Sequence, residues 1–358
     1  MMEKTDIKSL DYSQLASYTV ENWGLQKFRS KQLYDWMHVK LAESFDDMTN
    51  LSKDLREKLN KECGYICLKP VEKWVSQVDG TCKYLFELHD GNVIESVLMK
   101  YKHGNSVCIS SQVGCRMGCR FCASTLNGLA RNLFPSEMLE QIYAITRDSG
   151  ERVDNIVVMG TGEPFDNYDN LLKFLKMVTD GHGLNISQRN ITVSTCGLVP
   201  KIYALAEEEL QITLAISLHA VNDEKRRELM PVANTYSIEE ILKACRYYYD
   251  KTKRRLTFEY SLVKGVNDSE AEARSLAALL KGLNCHINLI PVNPIKERNF
   301  CQSDRDSVLK FKNKLEKYGG NVTIRRELGR DIQAACGQLR KKYIDKIQGE
   351  EEEDEDIC

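Results

Sequence analysis

Residues 107–122 read VCISSQVGCRMGCRFC, and this stretch decides the fold. Its first part, Val107–Ser111, is a short apolar run of the kind that forms a buried strand. Its second part places Cys115, Cys119 and Cys122 on the segment that leaves this strand, with an aromatic residue directly before the third cysteine. Loops at the carboxyl ends of parallel strands are where α/β folds keep their active sites. The stretch therefore predicts a strand followed by a loop that carries chemistry.

The region after this loop repeats the alternation of strand-like runs and helical patterns. The predicted strands are Val107–Ser111, Asn155–Met159, Ile191–Ser194, Ile212–Leu218, Leu256–Leu262 and Ile287–Pro291. The predicted helices are Ser136–Thr146, Leu171–Val178, Ile238–Tyr248, Glu270–Leu280 and Val308–Tyr318. Such alternation is typical of βα units around a parallel sheet. Six right-handed units do not close an eight-unit barrel, so we expect an α/β fold with a partial, open (βα)6 barrel; the alternative is an open doubly wound sheet.

The residues before the barrel show a different pattern of apolar residues and turns. Phe28–Met37 and Leu51–Leu59 carry apolar residues at helical spacing, which predicts a helical N-terminal region. The dipeptides Asp79-Gly80 and Asp90-Gly91 then separate three alternating stretches, as in an antiparallel meander. The predicted organisation is a helical accessory domain (1–65), a β-meander linking segment (66–104), the barrel (105–300), a C-terminal segment (301–349) and an acidic, disordered tail (350–358).

Composition limits the class of protein. The 358 residues are 42% hydrophobic and 28% charged, and they contain no run of about 18 apolar residues, so we expect no membrane span. The N-terminus, Met1–Asp6, lacks a basic stretch followed by an apolar run, so we expect a cytoplasmic protein. In that reducing compartment, clustered members of the 13 cysteines are expected to bind metal or to react rather than to form structural disulfides.

The charge distribution permits a nucleic-acid partner. The formal net charge is −2, but seven acidic residues lie in Glu350–Asp356, which leaves 50 basic and 45 acidic residues in the rest of the chain. A mildly basic body is compatible with RNA binding without requiring it. The candidate basic stretches are Lys251–Arg255, Arg325-Arg326 and Arg340–Lys342.

The three clustered cysteines fit an iron–sulfur cluster better than zinc. Three thiolates can hold three irons of a [4Fe–4S] cluster and leave the fourth iron open to a substrate. A structural zinc ion needs four protein ligands, and its sites are commonly built from paired cysteines. The zinc alternative would need a distant fourth ligand such as Cys108.

Polar residues follow several predicted strands. Met159–Pro164, with the sequence MGTGEP, places glycines and Glu163 after the second strand. Glycines permit close approach to the backbone, and a carboxylate accepts hydrogen bonds from an ammonium group. We expect these residues to line one mouth of the barrel with the polar residues that end other strands, namely Ser194, Ser217, His219 and Asn293. Alternatively, each could belong to an ordinary turn or cap a helix.

The cysteine spacing resembles the signature of the radical S-adenosylmethionine (SAM) superfamily. Longer stretches, over roughly residues 26–345, resemble the RlmN/Cfr family of rRNA methyltransferases; they are Ser110–Cys115, Ser217–Ala220, Met230-Pro231, Gly265–Asp268, Asn288–Pro294 and Asp331–Leu339. The resemblance implies a [4Fe–4S] cluster on Cys115, Cys119 and Cys122, and two SAM molecules per turnover. It implies SAM contacts from Gly162, Glu163, Ser194, Ser217, Leu218, His219 and Asn293.

The resemblance also implies a route to an unreactive carbon. Adenine C2 is electron-poor and has no nucleophilic lone pair, so polar methyl transfer from SAM fails and a radical route is needed. In the family's scheme, Cys336 first becomes S-methylcysteine, and a radical formed on that methyl group then adds to C2. Glu95 would accept the C2 proton, and Cys108 would release the product by forming a transient disulfide with Cys336.

The substrate and partners follow from the same resemblance. Pro164 is typical of the RlmN branch, whereas Cfr-like sequences carry alanine there, so we expect methylation at C2 rather than C8. The expected substrates are 23S rRNA, at the peptidyl transferase centre, and tRNA. We also expect a one-electron donor such as flavodoxin or ferredoxin, and a monomeric protein. The alternatives are a Cfr-like C8 methyltransferase, a zinc-stabilised RNA-binding protein without catalysis, and a radical SAM activase that makes a glycyl radical on a partner.

Overall fold

A computed structural model of the chain describes residues 4–295 and 297–334. The predicted methyl carrier Cys336, the basic stretch Arg340–Lys342 and the acidic tail lie outside the described residues. In the described part of the chain, no helix is both long and apolar enough to cross a membrane.

The described helices and strands follow the predicted order. The helices are α1 (Tyr12–Trp23), α2 (Lys27–His38), α3 (Lys53–Glu62), α4 (Pro135–Ser149), α5 (Tyr168–Val178), α6 (Val199–Glu207), α7 (Asp223–Leu229), α8 (Ile238–Thr252), α9 (Glu270–Leu279) and α10 (Arg305–Lys317). The strands are β1 (Thr5–Asp6), β2 (Cys63–Gly64), β3 (Pro70–Val75), β4 (Cys82–Glu87), β5 (Val93–Tyr101), β6 (Gly104–Ile109), β7 (Gln112–Gly114), β8 (Leu129–Asn132), β9 (Asn155–Val158), β10 (Ile191–Thr195), β11 (Thr213–Ser217), β12 (Leu256–Leu262), β13 (Cys285–Pro291) and β14 (Val322–Ile324). The short hairpin β7–β8 and the helices α6 and α7 were not predicted.

Ten of these strands form one sheet in the order β14-β13-β12-β11-β10-β9-β6-β5-β4-β3. The strands from β6 through β9 to β14 are parallel neighbours, whereas β3, β4, β5 and β6 pair antiparallel. The parallel strands follow one another in sequence order, so right-handed crossovers place their helices on one face. A doubly wound sheet needs a reversal of strand order, and this sheet has none. The barrel prediction is therefore confirmed, and the meander is continuous with the barrel sheet.

One contact shows how strongly the sheet curls. Arg325, directly after β14, places Nη1 3.9 Å from Sδ of Met159, directly after β9. Five strand spacings separate β14 from β9, which would be about 24 Å in a flat sheet. The sheet is therefore bent into a partial barrel, and β3 and β14 remain its two unpaired edges among the described strands.

Side-chain alternation gives the curved sheet two different faces. Ile156, Val193, Leu214 and Phe258 belong to the large apolar core that the sheet shares with its helices. Their neighbours in the strands, such as Ser194, face the other way, because successive strand side chains point to opposite faces. The face without helices therefore carries the polar residues, and we call it the inner face.

The N-terminal helices have an apolar core of their own. It is built from residues such as Leu33, Met37 and Phe45, and β1 pairs with β2 to join the two ends of this region. Lys8 forms a buried ion pair with Glu140 of α4, so the helical region is anchored to the barrel.

Candidate active site

A cavity of about 1020 Å³ lies at the carboxyl ends of the parallel strands. Each parallel strand, or the loop that follows it, contributes to the wall. The predicted residues that line the cavity are Cys115, Cys119, Cys122, Gly162, Glu163, Ser194, Ser217, His219 and Asn293. The structure therefore brings together nine residues that are up to 178 positions apart in the sequence.

The hairpin β7–β8 fixes the start of the cysteine loop. The backbone N–H of Cys115 donates to the Gly128 carbonyl at 2.9 Å, across this hairpin. Gly114 has φ +74°, and a Cβ there would lie 2.0 Å from the Gly128 oxygen. Only glycine fits this position, because any side chain would collide with the partner backbone. Cys119 and Cys122 are then linked by a backbone hydrogen bond of 3.2 Å.

The three thiols suit a metal cluster that is open to a ligand. Burial raises the pKa of Cys115 to about 12 and raises that of Cys119 well above its ordinary value. Such thiols are neutral alone and are deprotonated when they bind iron. Within the described residues, no three His, Cys, Asp or Glu side chains already converge into a complete metal site. The three cysteines form one wall of the cavity and leave the rest of it for a second molecule, which fits a [4Fe–4S] cluster with one open iron.

Glu163 lines the same cavity as the three cysteines. Its side chain is buried, with Oε1 accepting from the Phe165 N–H at 3.0 Å and Oε2 from the Cys196 N–H at 2.8 Å. Burial raises the pKa of Glu163, although these hydrogen bonds oppose the shift. Each carboxylate oxygen has a second lone pair, so the group can also accept from an ammonium group in the cavity.

The glycines of the MGTGEP segment serve close packing within the protein. A Cβ on Gly160 would lie 2.7 Å from the Ile109 carbonyl oxygen. A Cβ on Gly162, where φ is +111°, would lie 2.6 Å from Cβ of Gln112. Both glycines therefore pack closely against the backbone segment that leads to the cysteine loop. They also leave room for a molecule that approaches from the cavity.

His219 is a neutral group in the cavity wall. Its Nδ1 accepts a hydrogen bond of 2.9 Å from the backbone N–H of Ser261, which requires an unprotonated Nδ1. Burial lowers the pKa of His219 to about 3. The ring of Phe121 packs edge-on against it, with 4.9 Å between the ring centroids. His219 therefore offers an Nε2–H donor across the working pH range.

Leu218 is placed differently from its neighbours. Its side chain is fully buried in the apolar core, and its backbone N–H and C=O already bond to Glu259 and Arg226. Leu218 does not line the cavity, whereas Ser217 and His219 do. The reason is alternation, since the residue between two inward-facing residues points into the core.

Sequence reasoning missed several residues of the cavity. Glu259 is buried within β12, where its Oε2 accepts from Asn288 Nδ2 at 2.8 Å. Burial raises the pKa of Glu259, and the nearby Arg325 opposes this. Cys196 also lines the cavity, and burial raises the pKa of its thiol. The available signal was Glu259 itself, the one charged residue of the strand Leu256–Leu262.

Glu95 and Cys108 lie on the antiparallel side of the barrel. Val97 of β5 is paired with Cys108 of β6, and Glu95 precedes Val97 by two residues, so all three share the inner face. Glu95 is only 4% exposed, so it is not a solvent-facing strand residue. Cys108 packs with an apolar cluster that includes Ala334 and is not among the residues lining the three-cysteine cavity. The zinc alternative with Cys108 as fourth ligand therefore has no support here.

The basic stretch Lys251–Arg255 immediately precedes β12, so it lies at the opposite end of the strands from the cavity. Its Lys251 pairs with Glu207 at 3.1 Å, and Arg254 bonds to the Ile212 carbonyl at 3.4 Å. The nearby Phe258 is fully buried and is not accessible for stacking on a base. Arg325, in contrast, lines the cavity.

Comparisons with known proteins agree with this geometry. Residues 109–277 match the radical SAM superfamily, and residues 5–64 match the "Ribosomal RNA large subunit methyltransferase N-terminal domain". A protein of Lachnospira eligens named "Probable dual-specificity RNA methyltransferase RlmN" is 66% identical over 96% of this chain and 98% of its own length. One of the same name from Lachnoclostridium phytofermentans is 63% identical over 98% of both.

A solved structure shows the same fold over almost the whole chain. The crystal structure of a radical SAM methyltransferase from Sphaerobacter thermophilus has a TM-score of 0.90 and 43% identity, covering 94% of this chain and 99% of that one. Such similarity spans both the N-terminal helices and the barrel. The chain therefore belongs to the RlmN family of the radical SAM superfamily.

Proposed function

We propose that the chain methylates C2 of an adenosine in 23S rRNA, at the peptidyl transferase centre, and of an adenosine in tRNA. The observation that carries the proposal is the division of the inner face. The cysteine cavity lies on its parallel side, and Glu95 and Cys108 lie on its antiparallel side, where residues 328–334 approach Cys108. A group that cleaves SAM and a group that carries a methyl would thus work side by side.

Cys115, Cys119 and Cys122 would hold the [4Fe–4S] cluster. Glu163 would accept a hydrogen bond from the SAM amine, and the other SAM contacts would come from Gly162, Ser194, Ser217, His219 and Asn293, whereas Leu218 lies outside the cavity lining. The bound cluster and SAM together supply a radical after transfer of one electron, from a donor such as flavodoxin or ferredoxin. The protein's part is to fix the donor atoms and to shield the cavity from water.

Cys336 would carry the methyl group as S-methylcysteine, with one SAM used to load it and a second used for the radical step. Support comes from the segment that precedes it in sequence. Ala334 packs in the same apolar cluster as Cys108, and Asp331 accepts hydrogen bonds from Ser76 Oγ at 2.7 Å and from the Gln77 N–H at 3.0 Å. The first contact holds the segment 328–334 against the strand that bears Cys108, and the second ties it to the turn between β3 and β4. Release would form a Cys108–Cys336 disulfide as the bond between the Cys336 sulfur and the transferred carbon breaks, with the methylated base as the leaving group.

Glu95 would accept the proton that leaves C2. It lines a second cavity, next to the first, and Ser124 lines both. A carboxylate in a cavity that adjoins the site of radical formation is placed to act as a general base. The choice of C2 rests on the RlmN family of the relatives and on Pro164, which lines the cavity directly after Glu163.

The same family membership bears on where the protein works, on its oligomeric state and on the role of its N-terminal helices. We infer a cytoplasmic monomer, with residues 1–65 as an RNA-binding accessory domain attached to the barrel. The match of residues 5–64 to the methyltransferase N-terminal family supports that role for the helices.

Anaerobic purification tests the class of chemistry. A brown protein with about four irons and four sulfides per chain is expected from the stoichiometry of the cluster. A colourless protein with one zinc ion would contradict the radical mechanism and support a zinc-stabilised binding protein.

Nucleoside analysis tests the product. rRNA and tRNA from cells with and without the gene are digested and compared by mass spectrometry against standards. Loss of 2-methyladenosine from the deleted strain is expected in both RNAs. Loss of 8-methyladenosine would show a Cfr-like enzyme, and unchanged adenosines would contradict the RNA substrate.

A further inference from the structure

Lys83 is a buried lysine on the same inner face as the proposed reacting groups. The strand register aligns Trp74, Lys83, Val97 and Cys108 across four neighbouring strands. Directly opposed residues of antiparallel strands share a face, so Lys83 projects toward the side of the sheet that bears Cys108 and Glu95. Lys83 is 7% exposed. A lysine is rarely buried this deeply unless its ammonium group has partners.

The ammonium group of Lys83 lies among three groups from different parts of the chain. Its Nζ is 3.5 Å from Glu95 Oε1 and 3.5 Å from the carbonyl oxygen of Gln333. It also lies 4.7 Å from the centroid of the Trp74 ring, within the range of a cation–π interaction. Lys83 thus joins the proposed proton acceptor to the segment that leads to the proposed methyl carrier.

The energetics of the buried Lys83–Glu95 ion pair favour a role in positioning rather than in stability. A buried ion pair contributes little net stability, because the desolvation of both charges offsets their attraction. Its value lies in fixing the geometry of the two groups. Here the cation bonds to a carboxylate on β5 and to the backbone at Gln333, three residues before Cys336 in the sequence. One lysine therefore links the Glu95 carboxylate to the backbone at Gln333.

We propose that Lys83 is a positioning residue, which holds the Glu95 carboxylate in place and fixes residues 328–334 against it. This inference rests on the proposed function, in which Glu95 accepts the C2 proton. Lys83 itself need not touch RNA or SAM. Its loss should slow the steps that involve RNA and leave the earlier loading of the carrier cysteine intact.

The test uses Lys83→Met, which keeps the length of the side chain and removes its charge. Three quantities are measured on the holoenzyme: SAM cleavage, methylation of the carrier cysteine by protein mass, and methylated adenosine. We expect the first two within about twofold of wild type and a loss of at least tenfold in methylated adenosine, with RNA–protein adduct accumulating. Lys83→Arg retains the cation and is expected to recover most of the product.

Lys73→Met is the matched control. Lys73 is also a strand lysine paired with a carboxylate, since its Nζ lies 2.6 Å from Asp148, but it is half-exposed and projects from the other face of the sheet. The Lys73→Met substitution should leave SAM cleavage, methylation of the carrier cysteine and methylated adenosine unchanged. If Lys83→Met matches wild type in product formation, or if Lys83→Arg fails to recover any product, the inference is wrong.

A double mutant separates this inference from the function on which it rests. If Lys83 acts through Glu95, the variant Lys83→Met/Glu95→Gln should be no slower than Glu95→Gln alone, because the two changes affect one unit. If the loss of methylated adenosine in the double variant equals the product of the two single losses, Lys83 does not act through Glu95. The proposed role of Lys83 would then be wrong, and that of Glu95 would be unaffected. A fully active Glu95→Gln variant would instead overturn the proposed role of Glu95.

Discussion

In the parallel part of the sheet, the residues that bear chemistry stand mainly on loops after strand ends, as Cys115 and Glu163 do, whereas in the antiparallel part Glu95, Lys83 and Cys108 stand within strands. The loop residues gather around one cavity of about 1020 Å³. The strand residues gather on a face that residues 328–334 approach. The candidate site is therefore assembled from two kinds of scaffold, and in the proposed function the first serves SAM cleavage and the second serves the chemistry on RNA.

The largest expected effect comes from the parallel part. Cys119→Ala removes one of the three proposed cluster ligands, so both SAM cleavage and RNA methylation should fall at least about a thousandfold. Iron content and the brown colour should be lost together with activity. Cys245→Ala is the control, because Cys245 is buried in the core away from the cavity. An active Cys119→Ala enzyme with full iron content would break the comparison.

The next effect comes from the antiparallel part and should leave the cluster untouched. Glu95→Gln keeps the shape of the side chain but removes the proposed base, and general bases contribute about 10²- to 10⁴-fold to a rate. Methylated adenosine should fall by about that factor while SAM cleavage and iron content stay near wild type. Both quantities, methylated adenosine and the products of SAM cleavage, are measured in one reaction, and their ratio is compared with that of the wild type. Equal losses of both would mean that the two parts of the sheet do not act separately.

A smaller effect is expected at Glu163. Glu163→Gln removes the charge but can keep one backbone hydrogen bond, and a charge-assisted hydrogen bond is worth about 1.5–3 kcal/mol. The affinity for SAM should therefore fall by about 10- to 100-fold, as measured by equilibrium binding to the reconstituted protein. Asp166→Asn is a useful control, since Asp166 pairs with Arg116 outside the set of cavity-lining residues. Unchanged SAM affinity in Glu163→Gln would remove Glu163 from the binding site.

The smallest effect concerns stability rather than catalysis. Burial lowers the pKa of His38, in the helical region, to about 3. The unfolded chain takes up this proton near pH 6.5, so the stabilisation is present above that pH and is lost as the pH falls toward 3. Between pH 7.5 and 5.0 the free energy of unfolding should therefore fall by about 2 kcal/mol on account of this group.

Thermal and denaturant unfolding of His38→Gln should show a correspondingly weaker pH dependence. His182→Gln is the matched change at an exposed histidine and should behave as wild type. A wild-type pH dependence in His38→Gln would show that His38 is not held neutral.

The two parts of the sheet also differ in how far the sequence predicted them. The parallel strands were predictable because their apolar runs are long and their polar residues follow at fixed places. The hairpin β7–β8 was not, since its strands, Gln112–Gly114 and Leu129–Asn132, are short and carry no apolar run. Glu95 and Cys108 were found only through family resemblance, because a single polar residue within a strand gives no local signal of its partners. Glu259 was missed for the same reason. Its burial makes sense only in the folded protein, where its side chain lies on the inner face and lines the cavity.

The central claim is that the antiparallel part completes a reaction that the parallel part begins, and Cys108→Ala tests it most directly. Cys108 is the group proposed to attack the sulfur of Cys336, so in its absence the modified base should remain bound to the protein. Protein purified from cells should then carry covalently attached RNA, with the modified nucleotide on Cys336 by mass spectrometry after digestion, and with iron content as in wild type. Cys108→Ala protein that is free of RNA and fully active would contradict the account.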